Sequence, residues 1–216
     1  MPLHDLAHYG LSAERGFLSP HEIDEIALPG DFGPIEEAAA KLSGLVTTGR
    51  VRHWLDALPT PDIAAFLATA ADAEIGRAMV RYSFLVQAYV WGEPTPLDRL
   101  PANLAVPFVA LADRIGFPPV MNYAGYVLDN WYRLDKSGPI ALENLVMDQH
   151  FAGGQDENWF VLVHVAIEAE AGRALELAVK LVQASDTGDA VAVEALLLDM
   201  HAVWDAINAI FDRMVE

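Results

Sequence analysis

Cysteine is absent from this chain of 216 residues. That excludes disulfides, zinc–thiolate centres, iron–sulfur clusters and a cysteine nucleophile. Basic residues are few: 13 Lys and Arg stand against 31 Asp and Glu, a net charge of −18. Nucleic acid and anionic membrane surfaces both select basic protein surfaces, so neither is an expected partner. Long apolar runs are missing as well. Mean hydropathy is +0.23, yet the longest stretch free of Asp, Glu, Lys and Arg is 115–128, only 14 residues, interrupted by Pro118, Pro119 and Gly125. A membrane span needs about 20 apolar residues. The opening MPLHDLAHYG has no basic region followed by an apolar run, so no secretory signal is expected. Polar–apolar alternation of useful length, Asn-Gly or Asp-Gly hairpin signals and internal repeats are all lacking, so no strand is expected. Hydrophobic residues make up 53% of the chain, which rules out disorder. The composition describes an acidic, soluble, cytoplasmic globular chain of the all-α class.

Proline and glycine divide the chain. Residues 1–33 read as an irregular leader, punctuated by Pro2, Pro20, Pro29, Gly30 and Gly33. A helix is predicted from Pro34, with Glu36 and Glu37 in its first turn and Gly49 at its close. Pro59 and Pro61 interrupt, and a helix resumes from Asp62. A longer one is predicted over 71–91, where Ile75, Met79, Tyr82, Val86 and Tyr89 recur at threes and fours. After a proline-rich loop at 92–103, helices are predicted over 104–115 and 120–131, with Pro118 and Pro119 between them. A second loop spans about 135–157. In 158–184 the stripe Phe160, His164, Ile167, Ala171, Leu175, Ala178 and Val182 predicts an amphipathic helix buried on that face. Thr187-Gly188-Asp189 is a turn, and Val193, Leu196, Met200, Val203, Ile207, Ile210 and Met214 mark the inner face of a last helix. That helix meets no glycine cap or polar tail, which predicts that the protein continues or that another chain completes it.

Catalytic signatures are sparse. His4, His8, His21, His53, His150, His164 and His201 are scattered, with no HExxH, GxSxG, GxxxxGK[ST] or GxGxxG. The carboxylates read as solvent-facing. His164 stands out because it interrupts an apolar stripe. Buried, an imidazole needs a partner. It is either a core His bonded to Glu168 one turn on, or part of a face lining a ligand cavity. His150, before Phe151-Ala152-Gly153-Gly154, suits a lid or an ordinary exposed loop, and His201 reads as a partly buried helix residue. Tyr123, Tyr126, Trp131, Trp159 and Phe160 flank the second loop. They serve either as core or as a pocket for a flat ligand.

Several short words occur in order: Arg15-Gly16-Phe17-Leu18; Ala88-Tyr89-Val90-Trp91-Gly92-Glu93; Leu100-Pro101-Ala102-Asn103-Leu104-Ala105-Val106-Pro107-Phe108; and Pro118-Pro119-Val120. They are followed by Tyr123-Ala124-Gly125-Tyr126-Val127-Leu128-Asp129-Asn130-Trp131, then Phe151-Ala152-Gly153-Gly154, then Trp159-Phe160-Val161-Leu162-Val163-His164-Val165-Ala166-Ile167-Glu168-Ala169. The series resembles the N-terminal half of the indoleamine 2,3-dioxygenase family of haem enzymes, clearly over residues 14–175.

The resemblance implies an all-helical fold, incomplete in this chain. Residues 1–150 would form a small N-terminal domain, and 151–216 the first long helices of the haem-binding domain. It implies haem b (iron protoporphyrin IX) as cofactor and O2 with an indole as substrates. Both oxygen atoms are inserted across the indole C2–C3 bond, and L-tryptophan gives N-formylkynurenine, a step of tryptophan catabolism in the kynurenine pathway. Carried over, the distal pocket comprises Tyr123, Tyr126, Val127, Phe160, Val161 and His164. The resemblance turns His164 toward its cavity reading and makes it the catalytic candidate. The family has a small hydroxyl residue at that position. A His there would contact O2, an indole N–H or the iron. Val161 replaces the second member of a Phe pair and leaves more room. The family's proximal haem-ligating His, and an Arg that binds the substrate carboxylate, have no counterpart among these residues. No metal ligand is therefore assigned, and a complementing C-terminal half or second chain is the expected partner. The alternatives are a non-catalytic haem- or ligand-binding module on the same scaffold, or an acidic helical interaction protein.

Overall fold

The computed structural model describes residues 4–216; Met1, Pro2 and Leu3, the start of the expected leader, lie outside the described residues. The chain forms two compact units. The first is built from His21–Tyr132 and Met147–Asn158; the second from the chain up to Pro20, Arg133–Val146 and Trp159–Glu216.

In the first unit the leader gives short 3-10 turns at Ile23–Glu25 and Gly30–Phe32. The helix predicted from Pro34 to Gly49 is two helices, α1 (Gly33–Ala40) and α2 (Leu42–Thr47). The break falls at Lys41, which leaves regular helical geometry. Next come α3 (Val51–Asp56), which the sequence reading lacked, and α4 (Ile63–Thr69), whose N-terminus is capped by the Asp62 carboxylate accepting from the Ala65 N–H at 3.0 Å. The central element is α5 (Asp72–Trp91). Its Ile75, Met79, Tyr82, Val86 and Tyr89 are all buried, as their spacing predicts, and α1, α2, α3 and α6 (Ala102–Ile115) pack around it. This unit holds most of the chain's fully buried large side chains, among them Phe32, Tyr82, Phe84 and Phe108.

Two expectations fail here. The helix predicted over 120–131 is a single π turn, Ala124–Leu128, closed by the Asp129 N–H donating to the Ala124 carbonyl at 2.9 Å. The expectation of no strand is also overturned. β1 (Trp131–Arg133) and β2 (Leu145–Met147) pair in a two-stranded ribbon. Each strand has three residues, too few to show an alternating pattern in sequence.

The second unit is dominated by α7 (Gln155–Thr187) and α8 (Ala190–Asp212). At 33 residues, α7 is about 50 Å long. The turn between the helices falls where expected: Gly188 adopts φ 71°, and the Asp189 carboxylate accepts the Ala192 N–H at 3.0 Å. The Trp159 indole N–H donates to the Arg213 carbonyl at 2.6 Å, joining the start of α7 to the chain just beyond α8. On α8 the buried residues are Val203 and Ile207, both on the predicted stripe. On α7 the buried set is displaced from the prediction. Val161, Leu162, Val163, Val165, Ala166, Ala169 and Gly172 are buried, while Phe160 is 46% exposed and His164 half-buried. Seen from sequence, both runs have helical spacing, so periodicity alone leaves the choice of face open. In this structure small residues occupy the close contacts, and much of the larger stripe is only partly buried.

One such contact locks the leader to α7. Gly16 has φ 56° and forms an isolated bridge with Ser12. A β-carbon on Gly172 would lie 2.6 Å from the Ala13 carbonyl oxygen and 2.7 Å from the Gly16 nitrogen. Neither position has room for a side chain. Gly172→Ala is expected to cost about 1–3 kcal/mol through overpacking. A denaturant titration showing an unchanged midpoint would contradict this packing.

Candidate functional site

The site residues carried over from the resemblance divide between the two units. Tyr123, Tyr126 and Val127 belong to the first. The π turn places Tyr126 in its middle, and the Gly125 N–H at its start donates to the Asn122 side-chain oxygen at 2.9 Å. Tyr126 joins an aromatic cluster with Phe84, at 5.7 Å between ring centroids, and Phe151, at 6.3 Å. Phe84 and Phe151 are 4.4 Å apart. Burial, with the nearby Glu157 carboxylate, raises the Tyr126 hydroxyl above the usual phenol range. Tyr123 is 45% exposed, and Val127 is fully buried.

Phe151 is held in place by its own loop. The Glu157 carboxylate accepts three successive backbone N–H groups, from Phe151 at 2.7 Å, Ala152 at 2.9 Å and Gly153 at 3.0 Å. His150 Nε2 bonds the Asn158 side-chain oxygen at 2.7 Å. The Phe151-Ala152-Gly153-Gly154 loop is thus fastened at both ends. The sequence reading missed this clamp. Its only trace is an acidic residue three positions after paired glycines.

A buried polar network fixes the segment after the π turn. Asn130 and Gln149 bond reciprocally: the Gln149 N–H donates to Asn130 Oδ1 at 2.8 Å, and Asn130 Nδ2 donates to the Gln149 carbonyl at 2.9 Å. Gln149 Nε2 continues to the Ala39 carbonyl at 2.9 Å, and its Oε1 accepts from Arg81 at 3.0 Å. Arg81 also pairs with Asp148 and Glu36. Glu36 is partly desolvated, but the Arg77 and Arg81 guanidinium groups outweigh that and hold its carboxyl below the usual range. Between this network and the π turn lies Asp129, whose carboxyl is pushed up to about 6 by burial.

Phe160, Val161 and His164 belong to the second unit. Val161 is fully buried. Phe160 and His164, one turn apart on α7, have ring centroids 4.5 Å apart with planes tilted by 48°. His164 Nδ1 lies 2.6 Å from the Phe160 carbonyl oxygen. Chemically, this is a part-exposed pair of inclined rings, one apolar and one an imidazole, on a helix otherwise anchored by buried Val, Leu and Ala. Among the described residues no group of three His, Asp or Glu is placed to hold a metal ion.

A profile of the family described as "Indoleamine 2,3-dioxygenase" matches residues 5–216. The chain belongs to the indoleamine 2,3-dioxygenase family. It is similar to rat indoleamine 2,3-dioxygenase 1, with 31% identity over 97% of this chain and 51% of the relative. Human indoleamine 2,3-dioxygenase 2 is 34% identical over 77% of this chain and 40% of the relative. A 6-hydroxytryptophan 2,3-dioxygenase of Fusarium equiseti is 28% identical over 97% of this chain and 51% of the relative. The chain therefore spans about half the length of the curated relatives it matches. The helical architecture agrees with the family expectation, apart from the short ribbon and the π turn.

Two outcomes are expected. Glu157→Ala frees three amide donors, so hydrogen exchange at Phe151, Ala152 and Gly153 should accelerate well beyond the change at α5. Unchanged protection at those amides would show that the clamp does not hold the loop. The second concerns Asp129, whose carboxyl ionises near 3.9 in an unfolded chain and near 6 here. Its contribution to stability is complete below about pH 4 and declines as pH rises to 6. Asp129→Asn should stabilise the protein at pH 7 by up to about 3 kcal/mol and change little at pH 4. Equal effects at both pH values would refute this burial-driven shift.

Proposed function

We propose that the full protein containing this chain is a haem-dependent dioxygenase that inserts O2 across the C2–C3 bond of L-tryptophan or a related indole, giving an N-formylkynurenine-type product. The observation carrying this reading is the family match across residues 5–216. The exposed aromatic face of α7 supports it independently. Phe160 and His164 present adjoining rings at 4.5 Å, inclined by 48°, one apolar and one able to hydrogen-bond, a pairing whose chemistry suits an aromatic guest. These residues would pack against a haem b group, and its iron ligand is proposed to come from the part of the family fold beyond the half matched here. A complementing C-terminal half, in the same polypeptide or in a second one, is accordingly the proposed partner. Residues 1–150 are proposed as the small domain and 151–216 as the first helices of the haem-binding domain.

Haem, when bound, supplies the activation of O2, which no amino-acid side chain provides. This chain contributes binding and orientation. Phe160 offers a ring face for the indole and excludes water from it. Tyr123 and Tyr126 are proposed as further aromatic contacts, with Tyr126 held by Phe84 and Phe151. Val127 and Val161, both fully buried, act from behind by fixing the backbone from which their neighbours project. His164 supplies the polar contact and is the proposed catalytic residue.

Among the described residues no helix is long and apolar enough to cross a membrane. With the cysteine-free composition, this supports a cytoplasmic location. The substrate class is left at indoles because relatives at comparable identity include one named for 6-hydroxytryptophan.

The test is an intact mass and a visible spectrum of the native purified protein, followed by incubation with L-tryptophan, O2 and a reductant. A Soret band and N-formylkynurenine are expected. Failure to take up haem after reconstitution with every native chain would overturn the proposal.

A further inference from the structure

Between the end of α2, the last turns of α5 and the segment after Pro119, the first unit holds a crevice of about 290 Å³. Val46, Gln87, Trp91, Gly92, Met121 and Phe151 line it, and among the described residues no charged side chain does. None of these is a residue proposed above to contact haem or indole. The walls are fixed from two directions. At the end of α5, the Arg52 guanidinium donates to the Tyr89 carbonyl at 2.8 Å, the Val90 carbonyl at 3.0 Å and the Thr95 carbonyl at 2.7 Å. The first two belong to the last turn of α5, where carbonyls have no partner within the helix. Gly92 is packed in: a β-carbon there would collide with the Ala88 carbonyl oxygen and lie 2.9 Å from Val51 Cγ1. The Phe151 wall is held by its backbone N–H on the Glu157 carboxylate. Walls ordered in advance spare a ligand the cost of ordering them.

The lining specifies what it takes. Burying a charge against apolar walls is costly, so the occupant is neutral. Trp91 and Phe151 offer ring faces and Met121 a polarizable thioether, all of which favour an aromatic guest over an aliphatic one. Trp91 is 65% exposed, which leaves much of its ring to be covered. Gln87 is part-buried, and among the described residues nothing hydrogen-bonds its carboxamide. That group both donates and accepts. The volume lies at the lower end of the ~300–1,000 Å³ typical of small-molecule pockets, which suits one ring or two fused rings. We propose that this crevice is a second binding site, for a neutral one- or two-ring aromatic molecule with a single hydrogen-bonding group, which Gln87 meets. The proposal does not rest on the dioxygenase reading.

Indole is the probe. It is titrated into the full protein carrying carbon-13 labelled methionine methyl groups, with the Met121 signal assigned through Met121→Leu. That signal should move and saturate, with a Kd of about 0.1–1 mM for a ligand of this size. Trp91→Ala removes a wall and Val46→Trp fills the space; neither residue is fully buried, and each change should weaken binding by about tenfold or more. Gln87→Leu keeps the volume and loses the hydrogen bond, so it should weaken binding by about fivefold. Phenol should bind several-fold more tightly than cyclohexanol, its aliphatic counterpart. A Met121 signal unmoved at about 10 mM indole, well above the expected Kd, overturns the proposal. So do wild-type affinities in both Trp91→Ala and Val46→Trp. Indole that shifts the haem absorption band and leaves Met121 unmoved sits at the haem, which also overturns it and leaves the dioxygenase reading standing. Equal binding of phenol and cyclohexanol, or an unchanged affinity in Gln87→Leu, overturns the ligand class.

Discussion

A guanidinium removed from water must find its acceptors inside the protein. Arg81, only 5% exposed in the middle of α5, finds them on two other stretches of chain. Glu36 reaches it from α1, and Asp148 with Gln149 from the segment after β2. Gln149 is committed in turn to Ala39 and Asn130. Removing any one partner would leave charge or amide groups stranded, at a cost of about 3–5 kcal/mol for a broken buried ion pair. The network sets where the chain must lie on leaving the π turn and on re-entering the loop that carries Phe151. Tyr126 and Phe151, its neighbours in sequence, inherit their positions from it.

The two units solve the burial problem differently. The first surrounds α5 with short helices and closes its interior with aromatic and branched side chains. The second relies on two long helices, and α8 keeps Leu197, Leu198, Trp204 and Phe211 exposed. An apolar surface of this kind on a long helix is unusual for a monomeric soluble protein. On α7 the same economy gives a division of labour. Valine, alanine and glycine face inward, and the larger aromatic residue and the imidazole face outward.

Legibility from sequence followed the length of the element. The helices α5, α7 and α8 repeat their apolar spacing over several turns, and their limits lie within a few residues of expectation. The ribbon, α3 and the π turn are too short for a period to establish itself. The buried face of α7 was misjudged for another reason. Side-chain size and polarity suggested that Phe160 belonged inside. What decides the face is close backbone approach, and only Gly172 with Gly16, read together across a long separation, carries that information. At the candidate site, the residues proposed are those named by the ordered words of the chain. The supporting groups were not. Glu157, Asn130 and Gln149 act through contacts that no local spacing encodes.

The bond from Trp159 to the Arg213 carbonyl has a mechanical meaning. Trp159 adjoins Phe160 in sequence, and the Arg213 guanidinium also lies over its indole ring, 5.2 Å from the centroid, while bonding Glu143. The start of α7 and the chain just beyond α8 are therefore tied by a hydrogen bond and a cation–π contact on one and the same indole.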